Sequence, residues 1–277
     1  MKALLLFLPG FALGQTLSKE ALLLDLDATK GLKTDAQNRV LSWTNQASGH
    51  ENLVFEKQDE GRKTPLSGCP TLRTSNSSKG TPASLIFRQG ELVCPDEDIF
   101  DSLTTGKGHT WITLLSVYEQ RVGLKDVNSF FGNLRNGGKY EGLWGCLNDD
   151  NTLWFGTRNG ITFGRFDPNN PKLTGPKLAT RRFHLVAGRQ GAGTGKVLLE
   201  LFLNRSDQAI ATTSFPVNPK ANPSRLAIGQ ERDAIEHPGY ESFDGEIARF
   251  LIWNRPLSNK ELTSAFLALK KTYRLER

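Results

Sequence analysis

Residues 243–273 read FDGEIARFLIWNRPLSNKELTSAFLALKKTY, and this stretch decides the fold. Ile247–Trp253 (IARFLIW) reads as a long strand. Ser258-Asn259-Lys260-Glu261 then forms a capping box, in which the Ser258 hydroxyl accepts a backbone N–H three residues on and Glu261 reaches back. Leu262, Ala265, Phe266, Leu269 and Tyr273 follow at helical spacing. One amphipathic helix directly after the last strand is expected to lie on the outside of a sandwich and close it.

Upstream of this tail the chain reads as strands. Thr110–Tyr118 (TWITLLSVY) is apolar on both parities, with Trp111, Leu115 and Val117 on one face and Ile112, Leu114 and Tyr118 on the other. Such a strand lies between layers. Val197–Leu203 alternates, with Val197, Leu199, Leu201 and Leu203 on one face. Leu153–Thr157 and Ile161–Phe166 flank Arg158-Asn159-Gly160, a hairpin signal. Phe183–Gly188 is a further short strand. Ser48 to Pro82 is polar and reads as a long surface excursion. Many short strands separated by turns predict an all-β, two-sheet antiparallel sandwich with one C-terminal helix.

Composition sets outer bounds. The chain has 277 residues with 38% hydrophobic content, ordinary for a globular protein and against disorder. Thirty-five Lys and Arg against 29 Asp and Glu give a charge of +6. Met1-Lys2, the apolar run Ala3–Leu8 continuing through Phe11–Leu13, and the small residues Ala12 and Gly14 have the pattern of a secretory signal peptide. The expectation is a signal over 1–14, one domain over 15–277, and a secreted, periplasmic or extracellular address. Cleavage removes Lys2 and no acid, leaving +5. No later run is long enough for a membrane helix. The three cysteines and four scattered histidines lack zinc-ligand spacing. Cys69 and Cys94 both precede proline in loop-like sequence and are the favoured disulfide; the alternative is three buried thiols.

Several segments together resemble the bacterial laminin-G-like, concanavalin A-like domains. They are Leu22–Gly31 (LLLDLDATKG), Arg39–Gly49 (RVLSWTNQASG), Pro82–Leu92 (PASLIFRQGEL) and Phe183–Ala187 (FHLVA). The most specific are Leu226–Gly229 (LAIG), Phe243–Ala248 (FDGEIA) and Ile252–Ser258 (IWNRPLS). In Pro82–Leu92 the sequence departs from the family, because Arg88 and Gln89 replace the usual Asp and its neighbour. The resemblance implies a jelly roll with one concave and one convex face. It leaves function open, since that fold hosts lectins, lyases, glycosidases and adhesion modules.

Four local patterns invite chemical readings. Gln190–Val197 (QGAGTGKV) imitates a phosphate loop, but Gln190 stands where Gly is needed and Val197 where Ser or Thr is needed; a flexible hairpin loop is the better reading. Glu241, Asp244 and Glu246 imitate a glycosidase carboxylate pair, although only Asp244 and Glu246 share a strand face. Against it stands a turn leading into the strand, with Gly245 allowing close packing. His184 could serve as a general base, but it has no partner nearby in sequence, and the resemblance implies a strand residue with a structural hydrogen bond. Asp25, Asp27 and Asp244 could supply oxygen to calcium, without a contiguous calcium loop. The cofactor expectation is therefore none, or a calcium ion.

The middle of the chain is dense in aromatic and Arg residues. Tyr140, Trp144, Trp154, Arg158 and Arg165 are the ligand-binding candidates: sugar rings stack on aromatic faces, and carboxylate or sulfate accepts forked bonds from Arg. The alternative is core aromatics with solvated Arg, and the sheet face they occupy decides between the two. The leading expectation is a lectin-like domain for carbohydrate, including anionic polysaccharide. An enzyme on the same scaffold, a polysaccharide lyase or glycoside hydrolase, would draw on Tyr140, Asn148, Arg182 and His184. A third reading is an extracellular adhesion or structural module. Nucleic acid is not expected as a partner, because +5 is modest and no basic run is present.

Overall fold

β-Branched and aromatic runs form the strands, and turns rich in Gly, Asn and Asp separate them. The computed structural model describes residues 16–76, 80–121, 127–136, 139–162, 167–231 and 239–275. The strands begin with β1 (Leu22–Asp27), β2 (Leu32–Thr34), β3 (Val40–Thr44), β4 (Val54–Lys57), β5 (Thr71–Arg73), β6 (Ser84–Arg88) and β7 (Leu92–Val93). They continue with β8 (His109–Val117), β9 (Asn128–Gly132), β10 (Arg135–Asn136), β11 (Tyr140–Leu147), β12 (Thr152–Asn159) and β13 (Lys172–Lys177). The last are β14 (Phe183–Gln190), β15 (Lys196–Leu203), β16 (Ala211–Pro216), β17 (Ala227–Ile228) and β18 (Asp244–Trp253), before helix α1 (Asn259–Tyr273).

Two antiparallel sheets face each other. The first has the order β16-β15-β14-β8-β18-β6-β5, with β1 also paired to β18. The second has the order β13-β12-β11-β9-β17-β7-β4-β3-β2, with β10 on β11. The all-β, two-sheet antiparallel sandwich with its C-terminal α-helix is therefore the observed fold.

β18 organises the first sheet. One of its sides pairs with β8 throughout, while the other takes β6 over Asp244–Ile247 and β1 over Arg249–Trp253. A register shift between Ile247 and Arg249 marks the changeover. Ile247, Phe250 and Ile252 enter the inter-sheet core, whereas Ala248, Leu251 and Trp253 join the cluster beneath α1. Gly245 is required here: a Cβ would meet the Ser116 carbonyl oxygen at 2.4 Å.

Aromatic rings fill the space between the sheets. Trp111 stands 5.0 Å from Phe131 and 5.2 Å from Phe155, and Phe131 stands 4.9 Å from Phe250. Tilted and edge-on contacts of this kind add to the area they bury. Helix α1 starts at the expected capping box, with Ser258 and Glu261 satisfying each other's backbone N–H groups. Its buried side chains are Leu262, Ala265, Phe266, Leu269 and Tyr273, so it covers one end of the outer face of the first sheet.

Three expectations change. The stretch from Ser48 to Pro82 is not only an excursion, because β4 joins the second sheet and β5 the first. Asn159-Gly160 ends β12, but the neighbours of β12 are β11 and β13; Ile161 and Thr162 form no strand, and 163–166 lie outside the described residues. Cys69 and Cys94 are not bridged. Cys69 is partly exposed next to Gly68, whose carbonyl accepts the Glu91 N–H, while Cys94, three residues after Glu91, is buried in the inter-sheet core with its N–H donating to the Leu226 carbonyl. Burial pushes the Cys94 thiol up to about 11. The expected signal segment, 1–14, lies outside the described residues.

Candidate functional site

The aromatic–arginine set from the middle of the chain is in place but closed. Trp144 on β11 and Trp154 on β12 lie on the outer face of the second sheet, their rings 5.4 Å apart and edge-on. Both are buried, at 1% and 0% exposure. Arg158 is buried too, its guanidinium 4.2 Å over Tyr140 and 4.7 Å over Trp144, and the Lys172 ammonium stands 4.3 Å over Trp154. The cations that would meet a ligand instead cover the rings from within the protein. The expectation of an open stacking platform is corrected, and Arg165 lies outside the described residues.

The lyase set is not assembled. Tyr140 begins β11 and Asn148 follows its end, so the two are about 26 Å apart along the strand. His184 belongs to the other sheet; its Nε2–H donates to Ala179 O at 3.0 Å, and Nδ1 faces Asn204 at 3.3 Å. Burial lowers its pKa, so it stays neutral in this structural role. Arg182 is exposed beside it.

The three calcium candidates do not converge either. Arg249 binds both Asp25 and Asp27. Asp244 lies five residues earlier on β18, about 16 Å away, against Arg88 and Arg121. Among the described residues no group of three or more His, Cys, Asp or Glu side chains could hold a metal ion. The QGAGTGKV segment links β14 to β15 as a hairpin loop.

A different site emerges at the end of the first sheet that α1 leaves uncovered. Strand alternation brings Tyr118, Glu246, Ser84, Arg73 and Arg88 to one face. The Glu246 carboxylate, 3% exposed, is bound by Arg73, by Ser84 Oγ at 2.6 Å and by Tyr118 Oη at 2.5 Å. Asp244 lies 3.7 Å from both Arg88 and Arg121. Arg121 also donates to the carbonyls of Gly239 and Ser242 at 2.7 Å each, which holds it in place.

Two guanidinium groups remain directed outward. Arg88, with 59% of its side chain exposed, stands 4.3 Å over the Tyr118 ring. Arg181 stands 6.0 Å from the same ring and has no acid within ion-pair distance among the described residues. Its backbone is left-handed, φ 58°, with its N–H on the Val117 carbonyl at 2.8 Å. Four guanidinium groups therefore meet two carboxylates. Beside them opens a pocket of about 360 Å³ bordered by Arg73, Arg181, Ser116, Tyr118, Phe183 and Glu246; Arg88 and Arg121 stand outside its wall. A hollow of about 640 Å³ at Glu119, Asp149, Asp150 and Lys177 is larger, but it has an acidic excess and no aromatic ring.

The Tyr118 phenol is pushed up to about 12 by burial, by its bond to Glu246 and by that carboxylate's charge. At neutral pH it is a hydrogen-bond donor and not a base. The chemistry on offer is fixed cationic donors beside an aromatic ring, the arrangement that receives a carboxylate or sulfate.

Sequence reasoning singled out Asp244 and Glu246, as carboxylates on one strand face, but missed the groups around them. Arg88 was visible as a departure from the family segment, and Tyr118 as the end of an apolar run. Arg73, Arg121 and Arg181 come from three other segments, and nothing in their spacing joins them.

No family model and no curated protein matches the chain. Solved structures resemble its fold. The sialidase of Trypanosoma rangeli in complex with sialic acid superposes with a TM-score of 0.58 at 12% identity, covering 90% of this chain and 33% of that one. The same sialidase with 2,3-difluoro-KDN gives the same values. The binding domain of botulinum neurotoxin serotype D/C gives 0.52 at 12% identity, covering 91% of this chain and 53% of that one. The chain thus spans about one third of the sialidase it matches.

Proposed function

We propose that this chain is an exported carbohydrate-binding domain of the laminin-G-like, concanavalin A-like kind, and that it takes an acidic sugar in the pocket at Tyr118. The observation that carries this reading is the charge balance. Four guanidinium groups, of Arg73, Arg88, Arg121 and Arg181, meet only the two carboxylates of Asp244 and Glu246, and Arg88 and Arg181 both stand at the Tyr118 ring, which leaves an excess of positive charge there. A ligand carboxylate or sulfate completes that set. The sialic acid in the matched sialidase is a carboxylate-bearing sugar, and the sequence reading of an anionic glycan agrees with the pocket's charge. Export follows from the reading of residues 1–14 as a signal.

The test is a glycan array followed by calorimetry on the protein without residues 1–14, with sialylated, uronate-containing, sulfated and neutral glycans. The expected outcome is binding confined to acidic glycans and weakened by salt. Equal binding of neutral glycans, or none of any, would overturn the reading.

A further inference from the structure

A second pocket lies beside the first. Both are bordered by Gly80, Thr81 and Pro82, which therefore form a shared wall. The second has a volume of about 270 Å³ and is bounded by Asp27, Ser75 and the last turn of α1 at Thr272 and Tyr273. It sits on the same outer face, because Asp27 opposes Arg249 on β18, and the register shift after Ile247 returns Arg249 to the face of Glu246 and Leu114. The spacing along β18 from Glu246 to Arg249 is about 10 Å, within the reach of a short oligosaccharide.

The two pockets differ in chemistry. In the second, Asp27 on the wall shares Arg249 with Asp25, and Arg274 also borders the pocket, so two carboxylates meet two guanidinium groups. Tyr273 is buried and its phenol is pushed up to about 12, chiefly by burial and then by the charge of Asp27. Ser75, Thr81 and Thr272 bring hydroxyl groups, while Pro82 and Ala83 bring apolar surface. Hydroxyl groups beside apolar carbon, without a surplus of arginine, match a neutral sugar ring.

We infer that the site accepts an oligosaccharide, with the acidic unit at Tyr118 and a linked neutral sugar at Tyr273 across the Gly80–Pro82 wall. The inference rests on the acidic-sugar reading of the first pocket. It adds a second binding site and a ligand length for full affinity.

Calorimetry on the protein without residues 1–14 tests it with two series of probes. One runs from the methyl glycoside of sialic acid, and the other from methyl glucuronide, each to the corresponding di- and trisaccharide extended with neutral sugars. In at least one series the affinity is expected to rise roughly tenfold on adding the first neutral ring. Thr272→Trp and Ser75→Trp fill the second pocket from opposite walls at exposed positions. Both are expected to abolish that gain while leaving the affinity for the monosaccharide unchanged, with thermal melts confirming that each variant folds. Monosaccharide binding without a gain on extension, or a gain that survives both variants, overturns the second pocket and leaves the first. Absence of binding in every series overturns both.

Discussion

The guanidinium of Arg88 lies 4.3 Å over the ring of Tyr118, and the hydroxyl of that ring is committed to Glu246. The ring is therefore fixed from behind and presents a cation in front. Arg88→Ala removes that cation without disturbing the Glu246 anchor. The affinity for an acidic glycan is expected to fall about tenfold, as for loss of one charge-assisted contact of about 1.5 kcal/mol. Titrations at low and high salt check this, because the salt dependence of binding should shrink with the affinity.

Arg181 carries a conformational cost for its position. Its φ of 58° belongs to the left-handed region, which glycine enters without penalty. Arg181→Gly is expected to raise stability by about 1 kcal/mol while weakening acidic-glycan binding. Thermal melts and calorimetry on one preparation read both effects. A variant that gains stability and keeps full affinity would remove Arg181 from the site.

Trp154 belongs to the closed aromatic cluster of the second sheet and does not border the pocket at Tyr118. It is fully buried against Trp144 and Lys172. Trp154→Phe is expected to cost roughly 1–3 kcal/mol of stability and to leave glycan affinity unchanged at a temperature where the variant is folded. A selective loss of affinity with an unaltered melt would place the ligand on the second sheet.

Two buried groups oppose each other in pH dependence. Glu91 pairs with Arg62, yet burial outweighs that attraction and pushes its carboxyl up to about 7 from the usual 4.5. Between those values the folded state holds a proton that the unfolded chain releases, so this group lowers stability as pH rises. His109 is buried and held at about 4, below the usual 6.5. Its contribution is present above 6.5 and is lost as pH falls toward 4. Glu91→Gln removes only the first effect. Urea midpoints from about pH 5 to 7 should rise more steeply with pH in the variant than in the wild type. Parallel profiles would show that Glu91 does not titrate in this window.

Local physics explains what was legible in the sequence. The Ser258–Glu261 box and the spacing Leu262, Ala265, Phe266, Leu269, Tyr273 concern neighbours within four residues, and α1 forms as read. The two-sided apolar run Thr110–Tyr118 likewise requires a central strand, and β8 is one. Alternation could not say which of two outward faces stays open. Trp144 and Trp154 have the composition of a sugar platform, but Arg158 and Lys172 cover them in the folded chain.

The sequence by itself determined the strand-rich sandwich, its capped helix and an excess of positive charge, because each depends on composition or on short-range periodicity. Only the tertiary structure decided where that charge is usable. Asp25, Asp27 and Asp244 are drawn apart along β1 and β18 and neutralised by Arg249, Arg88 and Arg121, so they do not form one cation site. Arg73, Arg88, Arg121 and Arg181 are brought to one end of the first sheet by pairing between strands distant in sequence. Long-range register places them, and no spacing along the chain encodes it.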